Sequence, residues 1–120
     1  AMRWMWPHRS LIDAGVPAPG HSDFAVCRVS PWTALGAMVT RRTTGGTDLD
    51  QREAITPIEA LHAYTTLGAW AQREEHEKGS LEIGKLADLI VLDRDVLTGE
   101  DIAGTQVLAT VVGGRIRHQA

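Results

Sequence analysis

Hydrophobic positions along the chain follow a helical rhythm up to about residue 76 and a strand-like one after it. Ser10 to Ala14 reads as the end of a helix, with Gly15 placed as the left-handed residue that terminates it. Val16 to Asp23 is predicted as a strand, although Pro17 and Pro19 lack ladder donors and make it a poor internal one. Ser30-Pro31 opens a second helix, with Ser30 as cap and Pro31 at the first helical position. Ala34, Leu35, Ala37, Met38 and Val39 carry that helix to about Arg42. The polar, glycine-rich stretch Thr43 to Arg52 reads as an exposed loop.

Thr56-Pro57-Ile58-Glu59 is the sharpest local signal. The Thr56 hydroxyl can accept from the Glu59 amide while the Glu59 carboxylate reaches back to the Thr56 amide, and proline suits the first helical position. A helix to about Gln72 follows, with Ile58, Leu61, Thr65 and Gly68 along one face, and the charged run Arg73 to Lys78 reads as its solvated end. Ala87 to Asp93 is an apolar run bounded by aspartate, as expected of a strand buried on both faces. Val107 to Val112 and Arg115 to Arg117 flank Gly113-Gly114, the pattern of a β-hairpin. The periodicity therefore predicts an α/β segment over residues 1–76 and a small β module over residues 77–120.

Composition narrows the function classes. A chain of 120 residues holds one small core, and 43% hydrophobic with 22% charged residues is a globular, not a disordered, composition. The formal net charge of -3, with Arg41-Arg42 the only adjacent basic pair, excludes a phosphate-driven nucleic-acid binder. No apolar run approaches a membrane span, and Met2 to Trp6 is too short for a signal peptide. Ala1 ahead of Met2 has the look of a cloning remnant, so the native frame is expected to begin at Met2. Cys27 is the sole cysteine, which rules out an internal disulfide and a thiolate metal site; it fits a cytoplasmic setting and reads as a small hydrophobe.

Several of these segments together resemble the metal-dependent amidohydrolases, with a likeness to an exoenzyme-regulatory-like branch. Gly20-His21-Ser22-Asp23 looks like the motif that closes their last barrel strand. The ordered run from Gly79 through Gly84-Lys85-Leu86-Ala87-Asp88 to Asp93 is similar to their return from barrel to β-sandwich. Thr110 to Ile116 resembles their terminal hairpin, and the Thr56 helix the one before the return segment. The resemblance covers about Trp6 to His118. It implies a fragment of a (β/α)8 barrel, namely the last strand and its flanking helices, followed by part of a β-sandwich. It also implies hydrolysis of non-peptide C–N bonds with one or two divalent, zinc-type metals.

By that resemblance Asp23 ligates the metal and takes the proton from its bound water, at the strand end where such barrels keep their active site. Read alone, Asp23 also suits a turn cap. His21, two residues earlier, shares its face on a strand and reads as a substrate-pocket neighbour rather than a ligand. His62 reads as a half-buried packing residue, and His8, His76 and His118 as surface. Trp32 and the Thr43 to Arg52 loop are placed at a substrate entrance of the parent enzyme.

The chain holds no His-x-His and no His-Glu-x-x-His. One carboxylate cannot hold a catalytic metal, so no metal is expected on this chain by itself and hydrolysis by it alone is not expected. Three readings follow: an enzyme C-terminus inactive alone, half of a split hydrolase completed by a partner chain, or a non-enzymatic oligomeric module. In each, Leu89 to Leu92 and Val107 to Val112 need neighbours, supplied by self-association or by a missing N-terminal barrel half.

Overall fold

The computed structural model describes residues 4–120, so the reading placed on Ala1 and Met2 lies outside the described residues. Helices α1 (His8–Asp13), α2 (Pro31–Thr40), α3 (Pro57–Tyr64) and α4 (Thr66–Ala71) precede strands β1 (Leu89–Leu92), β2 (Val107–Val112) and β3 (Arg115–Gln119). The strands form one antiparallel sheet in the order β1-β2-β3. Single 3-10 turns stand at Gln51–Glu53, Val96–Thr98 and Ile102–Gly104.

The core joins residues far apart in sequence. Trp32 and Leu35 of α2 meet Ile55, Ala60 of α3, and Val96 and Ile102 from the connection between β1 and β2. Gly36 lets α2 approach that connection closely, since a Cβ there would meet the Ala103 Cβ and backbone nitrogen at 3.4 Å. The β module thus supplies two of the plugs that close the helical core.

Buried polar groups tie the N-terminal residues to this core. Glu53, only 1% exposed, accepts the Ser10 backbone N–H at 2.9 Å and its hydroxyl at 2.6 Å. Arg41, at 2% exposure, donates to the carbonyls of Met5, Trp6 and Asp50. Neither group is left without partners, the condition under which a charge tolerates burial.

The capping box forms as the residues dictate: Thr56 N–H donates to Glu59 Oε2 at 2.8 Å and Glu59 N–H to Thr56 Oγ1 at 3.4 Å. The backbone bond from Thr56 above all, with the Arg9 guanidinium and the Thr56 hydroxyl behind it, holds the Glu59 carboxyl below its usual range; burial, the second-largest effect, opposes them. A carboxylate whose folded value is depressed contributes stability above its unfolded value and loses it as pH falls through the folded one. Below about pH 4, Glu59→Gln is therefore expected to lose less stability with acidification than the parent does, measured by urea unfolding across pH. Parallel curves for the two proteins would refute this.

Several elements depart from the predicted ones. Val16 to Asp23 is irregular, and its backbone bonds to helices instead: Val16 N–H to the Leu11 carbonyl and Gly20 N–H to the Ala63 carbonyl. Pro17 and Pro19 cannot donate, and the described strands pair among themselves. Ser30 occupies the N-cap position of α2 without a side-chain cap bond. The long helix after Thr56 breaks at Thr65, whose φ of -114° and ψ of -87° are not helical. Its buried positions are Ala60, Ala63 and Ala69, while Ile58 faces solvent. The charged run lies beyond the helix end at Ala71 in a series of turns, with Lys78 paired to Glu74.

Strand β1 is not buried on both faces: Ile90 and Val91 are 45% and 46% exposed, because no layer among the described residues covers them. The hairpin forms as predicted, with φ of 56° at Gly113 and 74° at Gly114, values a side chain would strain. Cys27 is exposed rather than packed as a small hydrophobe.

Candidate active site around Asp23

Helix α3 positions the Gly20 to Asp23 segment. Tyr64, at the end of α3, donates its hydroxyl to the His21 carbonyl at 2.9 Å and lays its ring on Gly20. A Cβ on Gly20 would overlap that ring. Gly20→Ala is therefore expected to cost about 1–3 kcal/mol, the usual penalty of overpacking, by urea unfolding. An unchanged midpoint would show that the segment does not rest on Tyr64. Neither Tyr64 nor the need for glycine at position 20 emerged from the sequence; the proximity is set by the Gly20 N–H bond to the Ala63 carbonyl at 3.0 Å.

Asp23 opens a tight turn. Its φ is 49°, in the left-handed region that aspartate tolerates better than most residues, and its carbonyl accepts from Val26 N–H at 2.7 Å and Cys27 N–H at 3.3 Å. The Asp23 N–H donates to His21 Nδ1 at 3.1 Å. This bond makes Nδ1 an acceptor, which leaves the proton of a neutral imidazole on Nε2. The face-sharing argument for His21 and Asp23 does not apply, because they do not lie on a strand; what joins them is this local bond. Both residues are exposed, and the Asp23 carboxylate makes no hydrogen bond or ion pair among the described residues.

No three His, Cys, Asp or Glu side chains converge on a point among the described residues. An open zinc site generally uses three protein ligands, so the donor set present here does not by itself fit a catalytic metal.

The other candidates sort differently from the sequence reading. His62 is exposed rather than half-buried, whereas His8 is partly buried. Burial, foremost, pushes the His8 imidazole below its usual value; nearby Arg41 adds to this, and a bond to Trp6 and the charge of Glu53 oppose it. His8, His62 and Glu59 line a shallow hollow of about 220 Å³ floored by Ile12, Ile55 and Ala63. Its one carboxylate is already committed to Arg9 and Thr56. Trp32 is a core residue and not part of an entrance, and the Thr43 to Arg52 stretch folds back through the Arg42–Asp48 bridge. Lys85 Nζ lies 2.7 Å from Ser80 Oγ but also 3.1 Å from Glu82. An ammonium held by a carboxylate only donates, so the pair is not an activated nucleophile.

Residues 1–118 match the amidohydrolase family, and the chain belongs to it. Among characterised relatives, it is 42% identical over 118 residues to the N-substituted formamide deformylase of Arthrobacter pascens. It is 34% identical over 95 residues to the imidazolonepropionase of Bdellovibrio bacteriovorus. These alignments take in 96% and 74% of this chain but 22% and 19% of the relatives, so the chain spans about a fifth of their length. No solved structure matches it. No helix among the described residues is long and apolar enough to cross a membrane.

Proposed function

We propose that this chain is the C-terminal part of a metal-dependent enzyme that hydrolyses a non-peptide C–N bond, and that it is inactive alone. The observation that carries the reading is the family match over residues 1–118 set against a span of only a fifth of the relatives. N-substituted formamides are the first substrate class to try, since the deformylase is a 42% identical relative.

In the complete enzyme, residues 1–76 belong to the end of a (β/α)8 barrel and residues 77–120 to its β-sandwich. Val16 to Asp23 is irregular here for want of adjacent strands, which a barrel provides. Asp23 is the residue assigned to the metal and to the proton of the attacking water, with His21 beside the substrate. Its exposed carboxylate leaves it open to that role, and the remaining ligands must come from other segments. A cytoplasmic setting suits the single cysteine.

The open apolar faces favour a covering partner, either the N-terminal barrel half or a second copy. Ile83, Ile90, Val91 and Ile116 are all exposed. Isolated from its barrel half, the chain is expected to sediment as a dimer or larger species, and a clean monomer would count against self-association.

The test measures zinc content and formate release from N-substituted formamides, for the chain alone and for the chain completed by a barrel portion bearing His-x-His. The chain alone is expected to release none. The completed enzyme is expected to be active and to lose about 100-fold or more in Asp23→Asn. Activity of the chain alone, abolished by that change, would overturn its proposed dependence on other segments. A completed enzyme indifferent to the change would overturn the role of Asp23.

A further inference from the structure

We infer that Tyr64 is a positioning residue that sets His21 as a hydrogen-bond donor, through Nε2–H, to the carbonyl oxygen of the amide; this rests on the amide-hydrolysis reading above. The Asp23 N–H occupies His21 Nδ1 at 3.1 Å, which in a neutral imidazole sends the one proton to Nε2. Nε2 has no partner among the described residues, and the residue is exposed. The imidazole therefore offers a donor and no acceptor.

This arrangement needs no neighbouring strand. Each bond that makes it lies within Gly20 to Asp23 or between that segment and the helical turn at Tyr64. The Gly20 N–H donates to the Ala63 carbonyl at 3.0 Å, and the Tyr64 hydroxyl to the His21 carbonyl at 2.9 Å. The Tyr64 ring lies against Gly20, so ring and hydroxyl grip two residues in succession. Burial above all, then the nearby Cys27, pushes the Tyr64 phenol above its usual value, and it stays a donor. His21 is thus held at its carbonyl by Tyr64 and at its ring by the Asp23 amide.

Attack of water on an amide moves charge onto the carbonyl oxygen. A donor preorganised at that oxygen stabilises the transition state more than the ground state. A neutral N–H does so without giving up its proton. Asp23 then acts on the water and His21 on the oxygen, while Tyr64 touches neither and acts through the His21 backbone.

The experiment follows formate release from N-benzylformamide by the completed enzyme. His21 is exposed, so its substitutions are expected to leave folding intact. His21→Leu is expected to lower kcat about 100-fold with KM within about threefold. His21→Gln carries an N–H at the reach of Nε2 and is expected to keep at least about a tenth of the parent kcat, a rescue that a lost base would not show. Tyr64→Phe keeps the ring on Gly20 and loses only the hydroxyl. It is expected to lower kcat about threefold to tenfold at unchanged KM, and to lower it no further once His21 is leucine. Nitrogen-15 spectra of the chain alone, with the imidazole neutral, read the proton on Nε2 directly. A proton on Nδ1, a glutamine variant no better than leucine, or a Tyr64→Phe loss that persists without His21 would each overturn the inference while leaving the amide reading in place. A completed parent that releases no formate would overturn both.

Discussion

Trp32→Ala is expected to remove most of the chain's stability. Trp32 is 7% exposed and sits where α2, α3 and the Val96 to Ile102 connection converge. Deleting a buried tryptophan removes its transfer free energy and opens a cavity that neighbours fill only partly, about 3–5 kcal/mol in all. Small domains hold about 5–15 kcal/mol in total, and one that leaves so much apolar surface open belongs at the low end. Urea unfolding followed by far-ultraviolet circular dichroism reads the loss directly. Trp70→Ala is the control: Trp70 is 47% exposed, and its loss is expected to cost clearly less than that of Trp32. Equal midpoints for the two variants would refute the placement of Trp32 at the centre of the core.

Glu53→Ala is expected to have the next largest effect. The carboxylate is buried and receives both the N–H and the hydroxyl of Ser10, so its removal strands two donors in a place water reaches poorly. Hydrogen bonds to a buried charge and the cost of orphaned partners together give about 2–4 kcal/mol. Glu53→Gln keeps one acceptor oxygen and is expected to fall between parent and alanine variant. Hydrogen exchange at the Ser10 amide offers an independent reading, since it is expected to quicken in Glu53→Ala before global unfolding does. If Glu53→Ala unfolds like the parent, the tie between α1 and the Gln51–Glu53 turn carries no energy.

Local chemistry was legible in the sequence and long-range closure was not. The capping box at Thr56, the Gly113-Gly114 hairpin and the extent of α2 follow from backbone rules that act within a few residues. The burial of Ala60 follows from its place in a cluster with Val96 and Ile102, which periodicity within one helix cannot reveal. The apolar run at Leu89 to Leu92 is a strand, yet it is not buried, because no layer among the described residues covers it. At the site, Asp23 stood out through the company of its motif. The Tyr64 contact that positions it, and the turn that replaces the predicted strand, required the fold. Arg41 and Glu53 flank the polar, glycine-rich stretch Thr43 to Arg52, and nothing in that stretch signals that these two charges are interior.

Val96 and Ile102 impose an order of events on a ribosome. Both lie late in the chain, yet both are needed to seal the core built by α2 and α3. Helices that leave the exit tunnel first must wait, with Trp32 and Leu35 uncovered, until roughly five-sixths of these residues have been made. At about 5–20 residues per second this is an interval of seconds. During it the early helices are open to holding chaperones and to contact with other nascent chains, so slowing translation between codons 71 and 96 is expected to lengthen that exposure rather than assist folding.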